Sequence, residues 1–193
     1  MKSDIVLAGV GGQGILTIAT ILGAAALNDN LYLKQAEVHG MSQRGGDVQS
    51  NLRLSSEPIH SDLIRLGGAD LIVSLEPMEA LRYLPFLSEE GWIVTNSVPF
   101  VNIDNYPEME KVEKALRDHG HVIMFDMEAV AKEVATQRSS NLVLLGAASP
   151  FIEIEPDKII EAIRNLFASK GEKIVEGNVA AFREGRIKAT EQM

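Results

Sequence analysis

The 193-residue chain is expected to form an α/β fold: a doubly wound, mostly parallel sheet, Rossmann-like and three-layered, followed by C-terminal helices. Three observations predict it. Short continuous apolar runs such as Asp4 to Gly9 read as strands buried on both faces. Such runs alternate with helical patterns through about residue 135, which is the order of a parallel sheet. The first run leads straight into Gly9-x-Gly11-x-x-Gly14 and then a helix, so a glycine turn stands where a wound sheet opens its ligand crevice.

The elements follow in order. Ile15 to Leu27 is apolar on nearly every face, as in a helix buried on a sheet, and Asn28 to Asn30 ends it. Leu31 to Ala36 reads as the second strand. Glu37 to Gly46 breaks both periodicities and reads as a loop. Val48, Leu52 and Leu54 alternate, which predicts a strand on the sheet edge. Leu71 to Leu75 is another buried strand, and Pro77 suits the first turn of a helix carrying Met78, Leu81 and Leu84. Trp92 to Thr95 is a strand, and Asn96 to Tyr106 is a loop. Glu108 to His119 sets Met109, Val112, Ala115 and Leu116 on one helical face. Val122 to Phe125 is the last clear strand, with a helix from Met127 to Ala135 after it.

The remainder is helical. Ser139, Ser140 and Asn141 can cap a helix from Leu142 to Ala148 that is apolar all round. Pro156 opens another, with Ile159, Ile160, Ile163, Leu166 and Phe167 in one stripe, and Gly171 closes it. No repeat or linker divides the chain. Residues 1–193 are therefore expected as one domain, an α/β core to about 135 and a helical part from about 136.

Composition excludes several functions. Net charge is −9, from 18 basic and 27 acidic side chains, so nucleic acid and membrane headgroups are not expected partners. No apolar run reaches the roughly 18 residues of a membrane span, and the N-terminus leaves no room for a signal peptide, which points to the cytoplasm. There are no cysteines, so the chain cannot ligate an iron–sulfur cluster by itself. The four histidines, His39, His60, His119 and His121, are scattered and have no metal-ligand spacing. No metal is expected, and His60, His119 and His121 are read as surface or capping positions.

Two loops carry the chemistry. In the first, glycines allow a tight turn and the helix N-terminus offers free N–H groups to an anion. A dinucleotide fingerprint would add an acidic residue closing the second strand. Glu37 is the candidate, and it falls late, inside the second loop. A nicotinamide-dinucleotide site, a structural turn, and a site for another ligand or a subunit contact all remain open. The second loop, Glu37 to Gly46, gathers a carboxylate, an imidazole, a hydroxyl, an amide and a guanidinium. Arg44 suits bidentate contact with phosphate or carboxylate, and His39 can move a proton near neutral pH. A solvated loop with no ligand is the plainer alternative.

Taken together, Gly9-Val10-Gly11-Gly12-Gln13-Gly14-Ile15-Leu16 and Glu37-Val38-His39-Gly40-Met41-Ser42-Gln43-Arg44-Gly45-Gly46 resemble the beta subunit of indolepyruvate ferredoxin oxidoreductase. That family corresponds to the gamma domain of the 2-oxoacid:ferredoxin oxidoreductases. Gly67 to Asp70, Glu76 to Arg82 and Asn96 are similar to it as well. The resemblance implies a division of labour. A large alpha subunit would carry thiamine diphosphate, Mg²⁺ and the [4Fe–4S] clusters, none of them bound by this chain alone, with coenzyme A as co-substrate and ferredoxin as acceptor. It implies that Gly9, Gly11, Gly12, Gln13, Gly14, Ser42, Gln43, Arg44, Gly45, Gly46 and Asn96 contribute to cofactor or substrate binding. His39 and Glu37 are candidates for tuning proton transfers or for bracing the loop. The apolar helix 142–148 is expected to bury its outer face on the partner. Because ferredoxins are acidic, the −9 charge places ferredoxin docking on the large subunit. The gamma subunit of a pyruvate or branched-chain enzyme, a free-standing NAD(P)-binding protein and a non-catalytic regulatory module are the rival readings.

Overall fold

The computed structural model describes residues 1–39, 45–101 and 103–193, with the backbone alone at His39. The described strands are β1 (Lys2–Val10), β2 (Tyr32–His39), β3 (Asp47–Ser55), β4 (Ala69–Ser74), β5 (Leu87–Asn96) and β6 (Val122–Phe125). They form one sheet in the order β2-β3-β1-β4-β5-β6. β1, β4, β5 and β6 pair in parallel, whereas β3 pairs antiparallel with both β1 and β2. β2 therefore runs with the others and β3 alone runs against them, so the sheet is mostly parallel as expected.

β1 is apolar on both sides because both are covered. Ile5 and Leu7 face a layer made of α1 (Ile15–Asn28), α4 (Met127–Val134), α5 (Ser140–Ala148), α6 (Pro156–Phe167) and α7 (Glu172–Thr190). Val6 and Ala8 face α2 (Pro77–Arg82) and α3 (Met109–Arg117). Three layers result. No helix among the described residues is long and apolar enough to cross a membrane.

The structure corrects four expectations. The strand 47–55 is internal, between β2 and β1, and the edge belongs to β2. Its alternation reflects one face packed by Leu52 and Leu54 under α1, which looks the same at an edge or inside. β2 also extends through residues 37–39, expected as loop, because the hairpin partner β3 supplies the ladder Glu37↔Ser50 and His39↔Val48. The apolar helix α5 has no outer face left for a partner: Leu142 to Ala148 are buried within this chain. α7 covers it so closely that Gly146 lies against the Phe182 carbonyl and Gly185 against the Val143 carbonyl. His121 is a smaller correction, since its ring stacks on Trp92 at 4.9 Å and its Nδ1 is buried without a partner among the described residues.

One ion pair fastens the far end of the sheet. Asp4 on β1 is 4% exposed and lies opposite Arg53 on β3. Arg53 donates Nε to Oδ1 at 2.7 Å and Nη2 to Oδ2 at 3.1 Å, and Lys2 Nζ adds 2.8 Å. Burial alone would raise the Asp4 pKa, but the hydrogen bonds from Arg53 and Lys2 outweigh it and hold the carboxyl below its ordinary value. A depressed folded-state pKa gives stability that is present above the unfolded-state value and lost as pH falls through the folded one. Asp4→Asn is therefore expected to cost about 2 kcal/mol at neutral pH. That deficit should begin to close below about pH 4 and shrink further as pH falls through the lowered folded-state pKa. Urea denaturation at pH 7 and pH 3 checks it, and a pH-independent deficit would contradict the account.

Candidate functional site

Chain direction reverses between β1 and β4: from β1 the chain crosses through α1 to the β2 side, then returns to add β4 on the other. A crevice opens at such a point, beyond the carboxyl ends of the strands. Here it is a cleft of about 590 Å³ lined by the glycine turn, by Leu75 after β4, by Asn96 at the end of β5 and by the start of α5.

The glycine turn is held from inside. Gly12 has φ 103° and Gly14, the N-cap of α1, has φ 77°, backbone that glycine adopts without strain. Gln13 spends both ends of its side chain on the turn: Oε1 accepts from Val10 N–H at 2.8 Å, and Nε2 donates to the Leu75 carbonyl at 3.3 Å. It thus ties β1 to β4. The Gln13 N–H bonds the Val10 carbonyl at 3.1 Å. Gly11 N–H donates to the Gly46 carbonyl at 2.8 Å, which joins the two glycine-bearing loops. The amides left for an anion are those of the α1 N-terminus, which has no side-chain cap.

The other wall is the segment after β5. Asn96, 3% exposed, accepts from Met127 N–H at 3.0 Å through Oδ1 and donates to the Val98 carbonyl at 3.1 Å through Nδ2. Phe100 reaches the cleft from this segment. The segment is strapped to buried Glu76, whose Oε1 accepts from Tyr106 Oη and from Phe100 N–H at 3.4 Å, while its Oε2 caps α2 at Glu79 N–H, 2.9 Å away. Burial, and then the bond to Glu76, push the Tyr106 hydroxyl far above its ordinary pKa, so it stays a donor. Burial likewise raises Glu79, against the lowering effect of Arg82.

Of the residues the sequence marked, the structure brings Gly11, Gly12, Gln13, Gly14 and Asn96 to one cleft. Gly46 joins them through the Gly11 bond, and Gly45 stands in the same turn at φ 78°. Gly9 packs beneath, where a Cβ would meet Ile15 at 2.8 Å. Ser42, Gln43 and Arg44 lie outside the described residues, as does the His39 side chain. Glu37 accepts from Gln35 Nε2 at 2.6 Å. The ribose-gripping carboxylate of a dinucleotide fold closes the strand beside β1; β3 occupies that place, so Glu37 sits a strand too far.

Sequence reasoning missed Arg138, Ser140 and Asn141, which line the cleft together with the glycine turn. Arg138 is exposed and makes no ion pair or hydrogen bond among the described residues. The only signal was the Ser139-Ser140-Asn141 run, which reads as an ordinary helix cap. Glu128 and Gln137, also in the wall, bond each other. No cluster of metal-ligating side chains occurs among the described residues.

The cleft can thus receive an anion between the α1 N-terminus and Arg138. The family model for pyruvate ferredoxin/flavodoxin oxidoreductase matches residues 4–187. The chain is 38% identical over 200 residues to the indolepyruvate oxidoreductase subunit IorB of Thermococcus kodakarensis, covering 98% of this chain and 96% of that one. It is 34% identical over 194 residues to the subunit of the same name from Methanothermobacter thermautotrophicus, covering 96% of each. Among solved structures, the 2-oxoglutarate:ferredoxin oxidoreductase of Magnetococcus marinus superposes with TM-score 0.77 at 23% identity. The match spans 98% of this chain and 31% of that one.

Proposed function

The chain belongs to the pyruvate ferredoxin/flavodoxin oxidoreductase family, and from that membership we propose that it is the small, beta-type subunit of an indolepyruvate:ferredoxin oxidoreductase. The observation that carries this reading is the end-to-end likeness to two IorB subunits at 34% and 38% identity. In this reading a large alpha subunit is the partner and holds thiamine diphosphate, Mg²⁺ and the [4Fe–4S] clusters. A chain with no cysteine leaves cluster ligation to another. The assembled, cytoplasmic complex oxidatively decarboxylates indolepyruvate and related aryl 2-oxoacids, transfers the acyl group to coenzyme A, releases CO₂ and passes two electrons to ferredoxin. The small subunit has no turnover alone.

The cleft's part is to hold the phosphates of coenzyme A. The α1 N-terminus and Arg138 favour an anion there, and Ser42, Gln43 and Arg44 are close in sequence to Gly46, which bonds Gly11. His39 and Glu37 brace that loop or assist proton transfer. The acceptor ferredoxin docks on the large subunit, away from this acidic chain.

An anaerobic pull-down with the tagged chain tests the proposal. The expected eluate is brown, contains a larger cysteine-rich partner with thiamine diphosphate, and reduces ferredoxin only when indolepyruvate and coenzyme A are both present. Arg44→Ala is expected to assemble normally and lose turnover by about 10²-fold. A colourless, solitary chain that binds NADH would overturn the subunit reading, and unchanged kcat/KM in Arg44→Ala would remove Arg44 from the site.

A further inference from the structure

Asn141, the second residue of α5, is 7% exposed and lines the cleft. Its Nδ2 donates to the Gly14 carbonyl at 3.2 Å, and a Cβ on Gly14 would meet it at 2.8 Å. Its Oδ1 is buried with no hydrogen-bond partner among the described residues. The amide's orientation is settled by that carbonyl, which can only accept, so the orphaned atom is the oxygen. Buried acceptors are nearly always paired, and the residue that carries this one lines the cleft.

The surroundings define what can pair with it. α1, of 14 residues, and α5, of nine, both begin at this cleft, and neither has a side-chain cap. The Ser139 hydroxyl at the start of α5 is turned instead to Asn178 Oδ1 at 2.9 Å. The uncapped α1 N-terminus, with Arg138 in the same lining, favours negative charge. A fully deprotonated anion such as sulfate leaves Asn141 Oδ1 unsatisfied, because it has no donor to offer. A ligand that carries a hydroxyl or amide N–H next to its phosphate satisfies both demands.

Resting on the reading of the cleft as a coenzyme A phosphate site, we propose that Asn141 is a specificity-determining residue whose Oδ1 accepts a hydrogen bond from a hydroxyl or amide N–H adjoining the phosphate of the bound ligand. Its Nδ2 meanwhile locks α5 to the glycine turn, so the atom that reads the donor is set in place before the ligand arrives. This gives the site a preference for phosphorylated polyol or pantetheine chemistry over inorganic anions, which charge alone does not supply.

Calorimetric titration of the assembled complex with coenzyme A, ADP and inorganic sulfate tests it. Asn141→Leu is expected to weaken coenzyme A and ADP at least tenfold and to leave sulfate within about twofold of wild type. Asn141→Ala, which adds no bulk, gives the same split if the leucine variant fails to fold. Loss of all three ligands alike, or of none, overturns the proposal and leaves Asn141 as a brace for Gly14. If ADP depends on Asn141 while coenzyme A is indifferent to both Asn141→Ala and Arg138→Ala, the acceptor role stands and the coenzyme A reading of the cleft falls.

Discussion

Replacing Gly146 with valine is expected to abolish cooperative folding, seen as the loss of a thermal transition in circular dichroism. A Cβ at this position of α5 would stand 1.9 Å from the Phe182 carbonyl oxygen of α7 and 3.0 Å from the Arg186 nitrogen. The reciprocal contact is as tight, since a Cβ on Gly185 would stand 2.0 Å from the Val143 oxygen. These are backbone atoms, so no rotamer relieves them and the helices must separate. α5 cannot retreat, because Val143, Leu144, Leu145 and Ala147 are fully buried on its remaining sides. Overpacking a core costs about 1–3 kcal/mol when side chains can yield. Separating two whole helices exposes their packed faces as well, so a loss above about 4 kcal/mol is expected, a large part of the 5–15 kcal/mol of a typical domain. Gly177, on the facing helix α7, is the control. Its Cβ would touch only Ala135 at 3.3 Å, so Gly177→Ala should be near neutral, with helix propensity offsetting the contact. A Gly146→Val protein melting within a few degrees of wild type would refute the close-packing account.

The same helix shows where sequence reading reached and where it stopped. Leu142 to Ala148 was legible as a helix apolar all round, hence buried, but burial by what is a non-local fact. Gly146 and Gly185 lie 39 positions apart, and nothing in either stretch announces that the two backbones touch. β1, α1 and the turn between them were legible because their signals are local: a continuous apolar run, then glycines at the positions whose φ is positive. The place of β3 was not, because Leu52 and Leu54 alternate identically on an edge or an inner strand and only pairing with both neighbours decides. In the site, the glycine turn and Asn96 stood out. Arg138 and Asn141 did not, since they are more than a hundred residues from the turn and a polar run before an apolar helix is what any cap looks like. Glu76 was visible as part of a family motif, yet its burial under the 97–106 segment is a product of the fold.

That burial carries the second large effect. Glu76 is 2% exposed and, among the described residues, satisfies three donors: Glu79 N–H at the start of α2, Phe100 N–H and Tyr106 Oη. Glu76→Ala strands all of them, at about 1–3 kcal/mol for each buried donor that water cannot reach. A loss of about 3–4 kcal/mol in urea denaturation is expected. Tyr106→Phe separates the strap from the cap, because it deletes one hydroxyl and leaves the Glu79 bond in place, so its stability cost should be only about 1 kcal/mol. The hydroxyl's raised pKa, caused by burial and by Glu76, keeps it a hydrogen-bond donor at neutral pH. Its loss should therefore act through position and not through titration. With that bond gone, Phe100 is held to Glu76 only through its own long N–H contact at 3.4 Å and is fixed less firmly in the cleft wall. Tyr106→Phe should then raise the KM for coenzyme A several-fold with kcat little changed, and the Phe100 amide should exchange its hydrogen faster. Unaltered exchange at Phe100 would show that the Tyr106–Glu76 bond does not hold the wall. A fall in kcat at constant KM would instead mean that the segment serves the chemical step, placing it nearer the reacting atoms than the phosphate-holding role assigned to this cleft allows.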